Sequence, residues 1–138
     1  MKLGAIALAA AAIAGLAAPA VQAQEQFFPL LVYRTGQFAP LGIPWADGKQ
    51  DYLKLVNARG GINGVKIAFE ECETAYDTAK GVECYERLKG RPGGTASFDT
   101  QSTGITFAVS DKAPGDKATI VTTGYGLSQS ADGRVFEW

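Results

Sequence analysis

Phe27-Phe28-Pro29-Leu30-Leu31-Val32-Tyr33 is a near-continuous apolar run, broken only by Pro29. A run of this kind suits a strand buried on both faces, which is the habit of parallel sheets. The residues that follow repeat the theme. A loop with Gly36, Pro40 and Gly42 leads to Pro44, whose fixed φ and missing N–H suit the first position of a helix. Trp45, Gly48, Tyr52, Leu55 and Val56 then recur at helical spacing as far as Arg59. Gly60-Gly61 ends that helix, and Asn63-Gly64 makes a tight turn. Val65 to Glu71 reads as a second strand.

The alternation continues to the end of the chain. A helix is expected from about Asp77, its cap, to Lys89, with Val82, Tyr85 and Leu88 as its apolar stripe. Thr95 to Asp99 is a short third strand. The polar turn Thr100-Gln101-Ser102-Thr103-Gly104 opens a short helix from Ile105 to about Lys112. Ala118 to Thr123 is a fourth strand. Strands alternating with helices predict an α/β fold, a parallel sheet with helices on both faces.

The start of the chain is of a different kind. Lys2 is a short basic opening, Leu3 to Ala18 is apolar and alanine-rich, Pro19 breaks the run, and Val21-Gln22-Ala23 offers small residues for cleavage. Residues 1–23 therefore read as a secretory signal peptide cleaved after Ala23, too short and small-sided for a transmembrane helix. A periplasmic product is the simplest expectation. The 138 residues contain no histidine, 13 Lys+Arg and 14 Asp+Glu. Without histidine a Ser-His-Asp triad, a Cys-His pair and a His-ligated zinc site are excluded within this chain. A near-neutral charge with no basic run argues against nucleic acid as a partner. No cofactor or metal is expected.

Two cysteines in an exported chain, Cys72 and Cys84, form a candidate disulfide, with two free, partly buried thiols as the other reading. Geometry decides, since the Cα atoms must approach within about 7 Å. The acidic cluster Glu70-Glu71-Cys72-Glu73 reads as a solvated strand end rather than a cation site. Asp47 and Asp51, one turn apart, read as an exposed helix face, and Tyr76 and Tyr85 as packing or surface residues.

Open parallel sheets bind ligands past the carboxyl ends of their strands. Three loops fall there: Arg34-Thr35-Gly36, Gln101-Ser102-Thr103-Gly104 and Gly124-Tyr125-Gly126-Leu127-Ser128. Glycine permits close backbone approach, and the second loop opens a helix whose free N–H groups favour an anion such as a carboxylate. Taken singly, each loop is explained by capping and turn formation. Three on one edge make a candidate binding site.

Several of these segments resemble the solute-binding subunits of bacterial ABC importers, of the branched-chain amino-acid and amide class with the type I periplasmic-binding fold. They are Tyr33-Arg34-Thr35-Gly36-Gln37-Phe38-Ala39-Pro40-Leu41-Gly42, the helix end Asn57-Ala58-Arg59-Gly60-Gly61-Ile62-Asn63-Gly64, the segment Glu70 to Leu88, Ser102-Thr103-Gly104 and Thr123-Gly124-Tyr125-Gly126. The resemblance covers essentially everything after the signal. It implies a two-lobed protein that holds a small solute, an amino acid or amide, and delivers it to a membrane permease. It further implies that Ser102, Thr103 and Gly104 give a hydroxyl and N–H groups to the solute's carboxylate or amide. Gly124, Tyr125 and Gly126 would bind the other end of that head group. Relatives often place a ligand-touching aromatic in the loop after the first strand; here Phe38 and Leu41 stand there, Leu41 at the aligned position. Some relatives carry a disulfide from the end of the second strand to just after the third. Cys84 lies in a helix and does not match, so the resemblance does not imply the Cys72–Cys84 bridge.

Such proteins run to several hundred residues, so residues 24–138 are expected to form part of an N-terminal lobe. Other readings are an exported α/β enzyme with a cysteine nucleophile, a small module of flavodoxin or receiver type, and a truncated fragment without function.

Overall fold

The computed structural model describes residues 25–93, 95–122 and 135–137; the expected signal peptide lies outside them. Along the chain run β1 (Glu25–Val32), α1 (Ala39–Ala58), β2 (Lys66–Glu73), α2 (Thr78–Leu88), β3 (Ser97–Asp99), α3 (Thr103–Ser110), β4 (Thr119–Thr122) and β5 (Val135–Glu137). The five strands form one sheet in the order β2-β1-β3-β4-β5, and every pairing is parallel. The expected α/β class and parallel sheet are therefore observed.

Helices lie on both faces, and β1 points alternate side chains to the two cores. Phe27 and Leu31 face α2 and α3, in a cluster with Tyr85, Leu88, Phe98, Ile105, Val109 and Ile120. Leu30 and Val32 face α1, with Ala46, Leu53 and Phe69. The second cluster is much smaller. Alongside it a groove of about 500 Å³ stays open between α1 and the sheet, lined by Phe28, Leu30, Trp45, Tyr52 and Leu53 together with the ion-paired Lys49 and Asp99.

The helix boundaries correct two expectations. α1 begins at Ala39, five residues before Pro44, with Pro40 in its first turn and Pro44 inside. Proline is favoured in the first turn, and Pro40 rather than Pro44 holds that role. Pro44 sits one turn further on, where it has no N–H to offer the Pro40 carbonyl. Gly42 lets the helix settle on Tyr33, since a Cβ there would collide with the Tyr33 carbonyl and ring. Helix α3 likewise starts at Thr103, not Ile105, with Ser102 as its cap. Asp77 caps α2 as expected, accepting the Lys80 N–H at 2.8 Å. Strand β2 extends two residues beyond its expected end, and β5 follows the four strands read from the sequence.

Cys72 and Cys84 are bridged, with Cα atoms 5.8 Å apart. The bridge ties the end of β2 to the sheet-facing side of α2. A sheet-facing Cα lies nearer the sheet than the helix axis by about 2.3 Å, the radius of the Cα cylinder. Asn57 secures the other side of the sheet. Its carboxamide donates to the Ile67 carbonyl at 2.7 Å and accepts the Ile67 N–H at 2.8 Å. This pins the end of α1 to β2, an edge strand whose free N–H and C=O groups would otherwise invite pairing.

Candidate functional site

The carboxyl ends of β1, β2 and β3 carry three segments that pack against one another. The segments after β1 and β2 are joined by Glu73. Its carboxylate accepts the Arg34 N–H at 2.8 Å, the Thr35 hydroxyl at 3.1 Å and the Ala75 N–H at 2.7 Å. Gly36, at φ +83°, runs against the Ala75 carbonyl. Glu71 is held by Arg34 through two bonds of 2.8 and 2.7 Å and by Gln50 at 2.6 Å, while Arg34 also reaches Asp47 at 2.7 Å. Arg34 holds the Glu71 carboxyl below the ordinary carboxylate value. Glu70 pairs with Arg87 and Arg91. The acidic cluster is thus a set of structural ties, which corrects its reading as a solvated strand end. Asp47 is likewise engaged rather than merely exposed. Among the described residues no group of His, Cys, Asp and Glu is arranged to hold a metal.

The segment after β3 carries the turn singled out in the sequence. Ser102 is buried, and its hydroxyl oxygen accepts the Ile105 N–H at 3.4 Å. Its proton remains available to a further acceptor. Thr103 is half-buried and Gly104 exposed. Their N–H groups lie in the first turn of α3, where the helix supplies no acceptor. A Cβ on Gly104 would come within 2.6 Å of the Thr78 hydroxyl, so glycine lets the start of α3 meet the start of α2. Gly81 serves the same approach, its missing side chain leaving room for Ile105.

Three buried hydroxyls hold this turn from behind. The Thr106 hydroxyl donates to the Ser102 carbonyl at 2.8 Å, and lies 2.5 Å from the Thr100 hydroxyl and 3.2 Å from that of Thr122. The end of β3, the end of β4 and the first turn of α3 are therefore one hydrogen-bonded unit. Such backing holds the turn in one arrangement. The residue before the cap, Gln101, adopts φ +51° and is 4% exposed, and neither polar atom of its carboxamide has a partner.

The structure thus joins Ser102, Thr103 and Gly104 in one helix-opening turn. Phe38 caps α1 and lies with its ring 4.7 Å from that of Tyr76. Leu41 is inside the first turn of α1 and 67% exposed, rather than in a loop. Gly124, Tyr125 and Gly126 lie outside the described residues. Tyr76, read from sequence as a packing or surface residue, is the centre of an aromatic group at this edge.

Comparison with known proteins bears on this geometry. The family model described as periplasmic binding protein matches residues 25–138. No curated protein sequence matches the chain. Among solved structures, one titled an ABC transporter permease from the Pseudomonas fluorescens group is 40% identical with a TM-score of 0.75, covering 82% of this chain and 29% of its own. A fatty acid ABC transporter substrate-binding protein from Thermomonospora curvata is 26% identical with a TM-score of 0.65, covering 74% and 26%. A branched-chain amino acid transporter substrate binding protein from Streptococcus pneumoniae, solved with isoleucine, shares the fold at 20% identity and a TM-score of 0.70, covering 82% and 33%. The chain spans about a third or less of the length of these relatives. With its five-stranded parallel sheet, its helix-opening Ser-Thr-Gly turn and a match from residue 25 onward, this chain belongs to the periplasmic binding protein family.

Proposed function

We propose that this chain supplies one wall of a solute-binding cleft, in a protein that carries a small polar solute, an amino acid or amide, to the permease of an ABC importer outside the cytoplasm. The observation that carries the reading is the turn Ser102-Thr103-Gly104. It offers two N–H groups, a hydroxyl and the positive end of a helix at the carboxyl edge of a parallel sheet. A carboxylate or carboxamide oxygen is the complementary group. The turn is backed by the Thr100–Thr106–Thr122 hydroxyls, so the donors stand fixed. The expected signal peptide fits an extracytoplasmic place of work. Residues 24–138 are read as part of an N-terminal lobe. In the relatives, two thirds or more of the chain lies outside the matched length, and the opposite wall of the cleft belongs to that remainder.

The reading as an enzyme with a cysteine nucleophile loses its nucleophile, because Cys72 and Cys84 are joined to each other. A bridged pair offers no thiolate.

The test is a titration of the full chain with leucine, valine and acetamide, followed by two-dimensional NMR, which reads weak binding. The amide signals of Thr103 and Gly104 should shift in a saturable way. Ser102→Ala should weaken binding by about 1–3 kcal/mol, the cost of leaving a polar partner unpaired. Absence of shifts at these amides in the folded chain with all three solutes would contradict the proposal.

A further inference from the structure

The aromatic group at the same edge extends the site beyond its polar turn. Tyr33, at the end of β1, is buried, and its ring meets that of Tyr76 edge-on with centroids 5.1 Å apart. Phe38, at the start of α1, tilts against the same Tyr76 ring. Tyr76 therefore stands between two rings drawn from different elements. It is itself half-buried, and Phe38 is 39% exposed. The cluster presents aromatic surface at the strand ends rather than sealing it inside.

The backbone beneath Tyr76 is unusual. Ala75 and Tyr76 are consecutive non-glycine residues in the left-handed region, at φ +51° and +62°. That region is unfavourable for a side chain with a Cβ, and doubly so for a bulky ring. Surrounding bonds hold it there. The Ala75 N–H donates to Glu73, the Tyr76 N–H donates to the Thr74 hydroxyl at 3.2 Å, and the Thr74 hydroxyl donates to the Val32 carbonyl at 2.9 Å. An extended backbone would carry the chain from β2 into α2 without such strain. Strain kept in place by a dedicated set of bonds is found at ligand clamps.

Its position relative to the polar turn follows from α2. Tyr76 is two residues before Thr78, and Thr78 is the residue against which Gly104 packs. The segment that carries Tyr76, with Phe38 packed on it, therefore leads directly into the contact between the starts of α2 and α3.

We propose that Tyr76, backed by Tyr33 and flanked by Phe38, is a specificity-determining residue of the cleft, and that its ring receives a flat apolar or aromatic substituent of the solute. This rests on the assignment of the solute's head group to Ser102–Gly104. Aromatic rings favour edge-on and offset partners over aliphatic ones of equal area. The wall therefore favours solutes that combine a carboxylate or amide with a ring.

The experiment compares phenylalanine with alanine as probes, by NMR titration of the full chain and of three variants. Tyr76→Leu keeps apolar bulk and removes the ring, Tyr76→Phe keeps the ring and removes the hydroxyl, and Ser102→Ala alters the head-group turn. Tyr76→Leu should weaken phenylalanine binding about three- to ten-fold, the reach of one ring–ring contact, and leave alanine binding unchanged. Tyr76→Phe should retain the preference, and Ser102→Ala should weaken both probes alike. If Tyr76→Leu leaves the phenylalanine-to-alanine ratio unchanged while Ser102→Ala weakens both, the wall is overturned and the head-group site stands. If neither probe shifts any signal of the unaltered chain, the head-group site falls, and this inference with it.

Discussion

At the scale of single residues, Glu71 shows how much of this edge is held by charge. Its carboxylate joins β2 to the segment after β1 through Arg34 and to α1 through Gln50. Arg34 holds its carboxyl below the usual value. Glu86, between Lys112 and Lys89, is pulled from 4.5 to about 2. A carboxyl depressed in the folded state binds fewer protons there than when unfolded. The stability it adds is present above its ordinary value and is lost as pH falls through the folded one. The melting temperature should therefore hold steady down to about pH 4.5 and then fall towards pH 2. Arg34→Ala should remove about 1 kcal/mol at neutral pH, a figure discounted for the pair's partial exposure, and flatten the acid decline. Thermal melts of both proteins across that range check this. None of these ties was legible in the sequence. Glu70, Glu71 and Glu73 resemble any solvated strand end until the fold brings Arg87, Arg34 and the Ala75 N–H to them. The Ser102 turn was legible, because a hydroxyl one residue before a helix is a local signal. Tyr76 was not, because its ring contacts come from Tyr33 and Phe38, 43 and 38 residues earlier in the chain.

At the scale of elements, the alternation of strand and helix was readable because each apolar run is local. The Phe27–Tyr33 run and the Asp77 cap marked β1 and α2 with little ambiguity. Pro44 carries the same local preference for a first turn as Pro40, but the packing of α1 on Tyr33 puts Pro40 there and Pro44 inside the helix. Strand β5 escaped because three residues carry no periodicity of their own, and its place beside β4 comes from tertiary pairing. The Cys72–Cys84 bridge could be suggested but not decided, because the separation of α2 from β2 sets whether the sulfurs meet. Closing a loop of this length restricts the unfolded chain by about 3 kcal/mol in the entropic account. Replacing both cysteines with serine should lower stability by about that amount. Denaturant unfolding of the variant against the unaltered protein measures it, and coincident midpoints would contradict the estimate.

At the scale of the whole molecule, the two faces of the sheet differ. The face under α2 and α3 carries a continuous core from Phe27 to Val135, and the face under α1 carries a small cluster beside an open apolar groove. The strand ends carry the fixed polar turn and the aromatic group. A solute with a carboxylate thus has two rival places, the helix-opening turn and the groove beside Lys49. The turn should win, because a helix supplies no acceptor for the N–H groups of its first turn, whereas Lys49 is already matched to Asp99. The most direct measurement is a crystal structure of the full chain soaked with leucine. The carboxylate should lie at the first turn of α3, within hydrogen-bond reach of the Thr103 and Gly104 N–H groups and the Ser102 hydroxyl. Leucine found in the groove between α1 and the sheet, with the turn unvisited, would contradict it.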